Sequence, residues 1–378
     1  MTQPAAGGRN ERSRIMRTPK SVDIDITDRC NLRCRYCYFF TSSADVKDLP
    51  LAEWLTFFEE LNRCAVTAVT LAGGEPFIRE DLKEILAGIV RNRMRFSLLS
   101  NGTLIKDDIA GTIASTGRCD HVQVSIDGSI PITHDSFRGK GSFYQAVEGI
   151  RCLQRHKIPV AVRVTIHRQN VHDLENIAKL LLEDIGLPAF TTNSAGYMGL
   201  CQKNTEQVQL NTEDRHLAMT TLLKLVKKYG GRVSASAGPL AEAQGWLEME
   251  RARREGGSLP GRGKLVGCGC TFSKLAVRTD GVIVPCNMLS HIELGCINRD
   301  SLAEIWQNHP ALWKIRERRS IPLSQFDFCK GCAYINSCTG NCPALAYALL
   351  GQVDHPSPDA CLRKYLEEGG KLPEEVLG

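Results

Sequence analysis

The sequence predicts an α/β protein in which a partial, TIM-like (β/α)6 barrel precedes a small, loop-rich domain. Two observations predict the barrel: short β-branched runs alternate with longer amphipathic segments, and polar or glycine-rich motifs follow the ends of these runs. The carboxyl ends of parallel strands meet at one edge of a sheet, where barrel enzymes carry their sites. A third observation predicts the second domain, because nine of the sixteen cysteines lie between Cys268 and Cys361.

Six runs have strand character, and the segments between them have the periodicity of helices. The predicted strands are Val22–Thr27, Ala68–Leu71, Arg95–Ser100, His121–Ile126, Val160–His167 and Ala189–Thr192. The predicted helices are Leu51–Cys64, Glu80–Arg93, Ile105–Ala114, Phe143–His156 and Leu174–Asp184. We expect the barrel to span residues 21–200, behind a flexible basic segment of residues 1–20.

The rhythm changes after the barrel. Residues 201–267 read as a helical bridge, with helices over Thr212–Tyr229 and Ala241–Arg254. The loop-rich domain spans residues 268–363 and includes a hairpin of Leu275–Arg278 and Val282–Pro285, because Asp280 and Gly281 favour a tight reversal. Residues 364–378 form a C-terminal tail.

Composition narrows the functional class. The chain has 378 residues, 43% of them hydrophobic and 24% charged, with a net charge of +5. The sequence contains no run of eighteen apolar residues, no export signal and no long basic tract, so we expect a cytoplasmic enzyme without a membrane or nucleic-acid partner. In a long chain without an export signal, clustered cysteines indicate metal ligation by thiolates rather than disulfides.

The first cysteine group follows the first predicted strand. Cys30, Cys34 and Cys37 form a Cys-x3-Cys-x2-Cys run. Three thiolates can hold three irons of a cubane cluster and leave the fourth iron open to a ligand that is not protein. A zinc knuckle is the alternative, but zinc sites usually close with a fourth Cys or His, and none follows at a familiar spacing.

This run, with Tyr36 before its last cysteine, resembles that of the radical S-adenosylmethionine (radical SAM) family. The resemblance implies that the amino and carboxylate groups of S-adenosylmethionine chelate the open iron of a [4Fe-4S] cluster. One electron from the cluster then cleaves the cofactor, and the resulting 5'-deoxyadenosyl radical attacks a substrate C–H bond.

The motifs after the next three strands also resemble segments of that family. Gly73-Gly74-Glu75-Pro76 resembles the element that contacts the methionine amino group of the cofactor. The Glu75 carboxylate could accept a hydrogen bond from that group. The resemblance implies that four further residues line the cofactor, namely Asn101, Ser125, Asp127 and Arg138. Of these, Ser125 is implied to contact the ribose and Arg138 to bind the methionine carboxylate.

The second cysteine group resembles the SPASM extension, which in that family holds two auxiliary iron–sulfur clusters. The resemblance therefore implies three [4Fe-4S] clusters in all. The implied ligands of the outer auxiliary cluster are Cys329, Cys332, Cys338 and Cys361, and those of the inner one are Cys270, Cys286 and Cys342. Cys268 is the candidate for a fourth inner ligand, although its spacing from Cys270 is tight. A pair of structural zinc sites is the alternative.

Members with this extension act mostly on peptides, so the resemblance implies a radical SAM peptide maturase that abstracts hydrogen from a ribosomally made precursor peptide. A sulfatase-maturing enzyme or a cross-linker of a cofactor-precursor peptide is the alternative. The sulfatase-maturing branch is expected to carry an aspartate that acts as a base directly after this cysteine. Here Asn287 follows Cys286, and an amide cannot accept a proton near neutral pH, so that branch is disfavoured. The general base stays unidentified; Asp127 is the candidate, His291 and Glu293 are also near in the pattern, and a structural or solvated role is the alternative for each.

Partners follow from the same resemblance. The chain has too few residues before its first strand for a leader-recognition domain, so we expect a separate leader-recognition protein or leader binding by the barrel itself. An electron donor such as flavodoxin or ferredoxin is also implied. The alternative that is not an enzyme is a zinc or iron–sulfur scaffold, which would contain metal but would not cleave the cofactor.

Overall fold

The structure is a computed structural model that describes residues 15–39 and 48–374. Most of the predicted basic N-terminal segment and the end of the predicted tail therefore lie outside the described residues. The described helices include none that is long and apolar enough to cross a membrane.

The described residues contain ten strands, which form one sheet. They are β1 (Ser21–Thr27), β2 (Ala68–Gly73), β3 (Arg95–Ser100), β4 (Cys119–Ser125), β5 (Val160–Ile166), β6 (Phe190–Ser194), β7 (Val233–Ala235), β8 (Lys274–Val277), β9 (Val282–Val284) and β10 (Gly295–Cys296). Strands β1 to β7 lie side by side in chain order and run parallel. The sheet ends at β7 on one side and β10 on the other, so the barrel is open, as predicted.

Helices cover the outer face of the parallel strands. Those of the barrel are α1 (Leu51–Arg63), α2 (Leu82–Arg91), α3 (Asp107–Ser115), α4 (Pro131–Arg138), α5 (Ser142–Arg155) and α6 (Leu174–Lys179), which continues as a π-helical turn over Leu180–Asp184. Those that follow are α7 (Gly199–Lys203), α8 (Thr205–Val208), α9 (Thr212–Lys228), α10 (Pro239–Arg254), α11 (Leu302–Asn308), α12 (Pro310–Glu317), α13 (Pro343–Leu350) and α14 (Leu362–Glu367).

Side-chain alternation separates a dry core from a polar lumen. On β1, Val22, Ile24 and Ile26 are fully buried in the core cluster shared with the helices. The intervening Asp23 and Asp25 point to the opposite face, because successive strand residues alternate. Helix α1 matches this core with Trp54, Phe57, Phe58 and Leu61, which lie on one helical face. The barrel thus packs its apolar side outward and keeps its interior for polar groups.

Three features differ from the sequence predictions. Helix α4 was not predicted, because it contains only eight residues and most of them are polar, so it lacks a clear apolar periodicity. The region predicted as a helical bridge contains strand β7, a three-residue element after Gly230 and Gly231 with too little alternation to signal a strand. The predicted hairpin is β8 and β9, but β8 also pairs in parallel with β1, so the second domain extends the barrel sheet rather than standing apart from it.

Candidate functional site

Three thiols gather in the loop after β1. The Cys37 amide donates to the Cys34 carbonyl at 3.0 Å, and Cys34 Sγ lies 4.0 Å from the carbonyl oxygen of Arg138. Burial raises the pKa of Cys30 and raises that of Cys34 to about 12, and the nearby Cys37 adds to both effects. All sixteen cysteines lie in the described residues and are free of disulfides. Clustered thiols that are hard to ionise by themselves fit a cationic iron centre, which would supply the missing positive charge.

Two glycines let the end of β2 pack directly on this loop. A Cβ on Gly73 would lie 2.3 Å from the Thr27 carbonyl oxygen, and one on Gly74 would lie 2.1 Å from that of Arg29. Gly73 also has a φ of +114°, which disfavours other residues. The amides of Gly74 and Glu75 donate to the Thr27 and Arg29 carbonyls at 2.8 and 2.9 Å. The Gly-Gly-Glu-Pro motif thereby fixes the base of the cysteine loop.

Glu75 is fully buried, and its carboxylate joins β2 to the end of β3. Its Oε1 accepts from the Ser100 hydroxyl at 2.8 Å, and its Oε2 accepts from the Asn101 amide at 2.7 Å. Burial raises the pKa of Glu75 to about 7 despite these bonds. Its predicted contact with the cofactor's amino group stays a prediction, and an ammonium would favour the charged carboxylate that burial disfavours.

Asn101 ties β3 to the cysteine loop. Its Nδ2 donates to Asn31 Oδ1 at 2.9 Å and lies 3.9 Å from Cys30 Sγ. Ser125 ends β4 on the same carboxyl edge, where its backbone pairs with Arg163 of β5. The structure therefore places both predicted cofactor contacts on the edge that carries the thiols.

Arg138 and Asp127 form a buried ion pair beside the loop. Arg138 Nε donates to Asp127 Oδ2, the Tyr36 hydroxyl donates to the same oxygen, and the Thr165 amide donates to Oδ1 at 2.7 Å. The Arg138 guanidinium also lies over the Tyr36 ring, 5.4 Å from its centroid. Because Tyr36 precedes Cys37, this network connects the cysteine loop to α4 and β5.

The surroundings of Asp127 do not favour its use as a general base. Burial by itself would raise the pKa of this carboxyl, but Arg138 and the hydrogen-bond donors hold it below its ordinary value. Three donors already occupy most of its acceptor sites and the side chain is fully buried, so a substrate proton would have little access to it. We interpret Asp127 as the residue that positions Arg138.

The other two weak candidates for a base have structural partners. The His291 ring stacks on Tyr347 with centroids 3.7 Å apart, and Glu293 accepts from Arg278 at 3.0 Å. These contacts give both residues a structural role, so neither needs to act as a base.

Four cysteines form an inner group of neighbouring thiols. Cys268 Sγ lies 2.9 Å from Cys270 Sγ, and the Cys270 thiol also shares a hydrogen bond with the Cys286 thiol. Cys342 interacts electrostatically with Cys268 and Cys286. The shared hydrogen bond lowers the pKa of Cys268 and raises that of Cys270. The structure thus brings Cys268 together with the three predicted inner ligands.

A second set of four thiols lies near the carboxyl terminus. Burial raises the pKa of Cys329 to about 12, and the surrounding thiols that add to this effect are Cys332, Cys338 and Cys361. The Gly340 amide donates to Cys338 Sγ at 3.4 Å, an arrangement that would support a thiolate. This group contains the four predicted outer ligands.

The sequence predictions missed five residues of the barrel lumen, namely Asp23, Asp25, Tyr38, Arg163 and Lys274. Asn287 Nδ2 donates to Asp25 Oδ1 at 2.8 Å, and Lys274 Nζ bonds to Asp23 Oδ2 at 2.7 Å. Tyr38 interacts electrostatically with Asp25, Cys37, Cys286 and Arg163, so it lies near both the first cysteine group and the inner group. The available signal was the polar residue at alternate positions of strands that are otherwise apolar, as in Ser21–Thr27.

Two family models match the chain. The radical SAM superfamily model matches residues 24–181, and the SPASM iron–sulfur cluster-binding domain matches residues 268–333. These ranges contain the first cysteine group and most of the second.

Relatives with different named activities match almost the full chain. The pre-heme d1 synthase of Dinoroseobacter shibae is 32% identical, covering 93% of this chain and 88% of that protein. The Fe-coproporphyrin III synthase of Methanosarcina barkeri is 28% identical, covering 90% of this chain and 87% of that protein. The PqqA peptide cyclase of Granulibacter bethesdensis is 24% identical, covering 91% of this chain and 87% of that protein.

The fold also matches a solved structure. SuiB of Streptococcus suis, bound to the precursor peptide SuiA, superposes with a TM-score of 0.70 at 14% identity, covering 93% of this chain and 77% of SuiB. At that identity the match supports the fold and nothing finer.

Proposed function

We propose that this chain, which belongs to the radical SAM superfamily and carries its SPASM iron–sulfur domain, matures a ribosomally made precursor peptide by hydrogen abstraction. The substrate would undergo a cross-link or another modification of a side chain or α-carbon. S-adenosylmethionine and iron–sulfur clusters are the cofactors of this family. A flavodoxin or ferredoxin would supply electrons, and a separate leader-recognition protein could present the peptide.

The chain's own residues would hold these groups in three places. Cys30, Cys34 and Cys37 would hold the cluster that binds the cofactor. The inner auxiliary cluster would use Cys268, Cys270, Cys286 and Cys342, and the outer one would use Cys329, Cys332, Cys338 and Cys361. When bound, the cofactor and its cluster supply a 5'-deoxyadenosyl radical, and the protein holds the substrate and excludes water.

The observation that carries the peptide proposal is a cleft beside the barrel mouth. It has a volume of about 900 Å³ and lies between the start of α9 and the segment around α13 and α14. Its walls mix apolar and charged side chains, among them Arg168, Leu349, Leu350 and Glu368. An extended peptide presents both amides and side chains, so a mixed, open cleft suits it.

The cleft leads toward the carboxyl end of β6. A smaller cavity shares Leu210 and Arg215 with it and is lined by Ser194 and Ala195 at that strand end. A peptide in the cleft would therefore lie beside this strand end, and the smaller cavity, of about 10 Å³, has room for about one water. The similarity to a PqqA peptide cyclase supports the same substrate class.

A tetrapyrrole is the second candidate substrate. The observation that favours it is the identity of 32% and 28% to the pre-heme d1 synthase and the Fe-coproporphyrin III synthase, each over most of both chains. The radical chemistry and cysteine roles would be the same, and only the substrate would differ.

The test is anaerobic reconstitution with iron and sulfide, followed by dithionite and S-adenosylmethionine. One sample receives candidate precursor peptides from reading frames that neighbour the gene, and a second receives an iron tetrapyrrole with carboxylate side chains other than Fe-coproporphyrin III, which the named relative makes. We expect 5'-deoxyadenosine in the presence of the peptide and a peptide product lighter by two hydrogens, or of unchanged mass with altered configuration. Cys34→Ala is the control that removes one predicted iron ligand.

Each result has a definite meaning. Absence of 5'-deoxyadenosine from wild-type protein with full iron content would refute radical chemistry. A modified tetrapyrrole with an unmodified peptide would establish the second candidate instead.

A further inference from the structure

Arg163 is a cation of the barrel lumen that the cysteine sites and the cofactor contacts leave unused. It lies on β5 between Val162 and Val164, which are fully buried against the helices, so its side chain is on the lumen face. It is the exposed residue in the middle of that strand. Its backbone pairs with Ser125 of β4 and Thr191 of β6.

The other lumen charges already have partners. Lys274 is neutralised by Asp23 at 2.7 Å, and Asp25 accepts from Asn287 at 2.8 Å. In the described part of the chain, no carboxylate forms an ion pair with Arg163, and the Tyr38 hydroxyl is the group that favours its charge. Partial burial lowers the pKa of Arg163, so the guanidinium has lost some of its hydration without gaining an anion. Such a group is expected to bind an anion that enters the lumen.

Tyr38 places Arg163 close to the first cysteine group. Tyr38 follows the ligand candidate Cys37 directly and is coupled to both Cys286 and Arg163. Arg163 therefore lies in the lumen near Tyr38, the residue directly after the first cysteine group, and next to the strand that ends with Ser125. A planar guanidinium there can hold a carboxylate with two parallel hydrogen bonds and so fix its orientation.

We propose that Arg163 is the binding site for a carboxylate group of the substrate inside the barrel lumen. This inference rests on the proposed function, because it assumes that a substrate enters the lumen. The carboxylate could belong to an acidic side chain of a peptide or to a propionate of a tetrapyrrole, and the same fork would bind either.

The test maps the reactivity of Arg163 in the full-length, reconstituted protein. Phenylglyoxal modifies accessible guanidinium groups, and mass spectrometry of proteolytic fragments gives the rate at Arg163. The carboxylate probes are coproporphyrin III and a capped Ala-Glu-Ala peptide, each compared with a neutral analogue, the tetramethyl ester and capped Ala-Gln-Ala. Arg155, an exposed residue of α5 on the outer surface, is the internal control.

We expect at least one carboxylate probe to slow modification of Arg163 at least fivefold, with no change at Arg155 and no protection by the neutral analogue. Protection by the porphyrin alone would assign a propionate, and protection by the peptide would assign an acidic side chain. Unchanged rates with both carboxylates, or equal protection by a neutral analogue, would overturn the proposal.

A kinetic experiment supplies a second readout once substrate is in hand. We expect Arg163→Gln to raise KM at least tenfold, Arg163→Lys to raise it less, and Arg155→Gln to leave it unchanged. Formation of 5'-deoxyadenosine by the wild-type sample separates the two proposals. Its absence would refute the proposed function, whereas its presence with an unprotected Arg163 would refute only the carboxylate site.

Discussion

The side-chain amide of Asn287 donates a 2.8 Å hydrogen bond to Oδ1 of Asp25 and so links the loop after Cys286 to the first barrel strand. The bond gives Asn287 a structural reason to carry an amide rather than a carboxylate. A second carboxylate at this distance from the buried Asp25 would be repelled by it. The presence of Asp25 therefore explains why an amide, rather than an aspartate that could act as a base, follows Cys286.

Asp25 should make stability depend on pH. Burial raises the pKa of Asp25 to about 7, although the Asn287 bond opposes the rise. An acid whose folded pKa lies above its unfolded value costs stability once it ionises, so the wild-type protein should lose stability as the pH rises from about 4 to about 7. Asp25→Asn removes the charge, so the variant should be more stable than wild type at pH 8, by at most about 4 kcal/mol.

Thermal unfolding of both proteins at pH 5 and pH 8 measures this difference. The gain should be larger at pH 8 than at pH 5. Glu183→Gln, a change on the protein surface, is the control and should show no such growth. An equal Tm difference at both pH values would contradict a raised pKa at Asp25.

The geometry of Cys268 predicts a change in iron content. Its sulfur lies 2.9 Å from that of Cys270, which places it within the inner thiol group. If Cys268 completes the inner ligand set, Cys268→Ala should lower iron from about twelve toward eight per chain and alter the spectrum of the reduced protein. Cys64→Ala, outside both groups, should keep the full content. An unchanged iron content and spectrum in Cys268→Ala would mean that the inner cluster keeps an open iron.

The sequence could predict the strands and thiols of this site but not its lumen. Strand β3 was predicted over Arg95–Ser100, as observed, because β-branched and aromatic runs between amphipathic helices give a strong local signal. The cysteine groups were predictable because ligand spacing is local. Asp25 and Arg163 could not be paired with Asn287 or Tyr38, since those contacts depend on how strands distant in sequence close around one lumen. Strand β7 was missed for the related reason that three residues carry almost no periodicity.

A buried ion cluster should stabilise the junction between the barrel and the carboxyl-terminal segment. Arg215 Nη1 lies 3.6 Å from Glu242 and Nη2 lies 3.2 Å from Asp359, with all three side chains no more than 12% exposed. Removing the cation would leave the buried Glu242 carboxylate without a partner and would leave Asp359 with the Tyr197 hydroxyl alone. Arg215→Met should therefore destabilise the protein by about 3–5 kcal/mol.

Chemical denaturation of reconstituted protein measures this loss. Arg155→Met removes an exposed ion pair with Glu148 and should have little effect on the midpoint. Restoring charge balance with Arg215→Met combined with Glu242→Leu should recover part of the lost stability. Equal midpoints for Arg215→Met and wild type would show that the cluster contributes nothing.

Arg138 should control affinity for S-adenosylmethionine rather than assembly of the clusters. Its Nε is occupied by Asp127 and its guanidinium lies over Tyr36, while its Nη atoms have no hydrogen bond to a described residue. A lysine keeps the charge but loses the fork, so it could satisfy Asp127 or a cofactor carboxylate but not both with the same geometry. We expect Arg138→Lys to weaken cofactor binding at least tenfold with iron content unchanged. Equilibrium binding of S-adenosylmethionine to the oxidised protein measures this, with Arg155→Lys as the matched control. Normal affinity in Arg138→Lys would refute the assignment of Arg138 to the carboxylate, and loss of iron would show that it supports the cysteine loop instead.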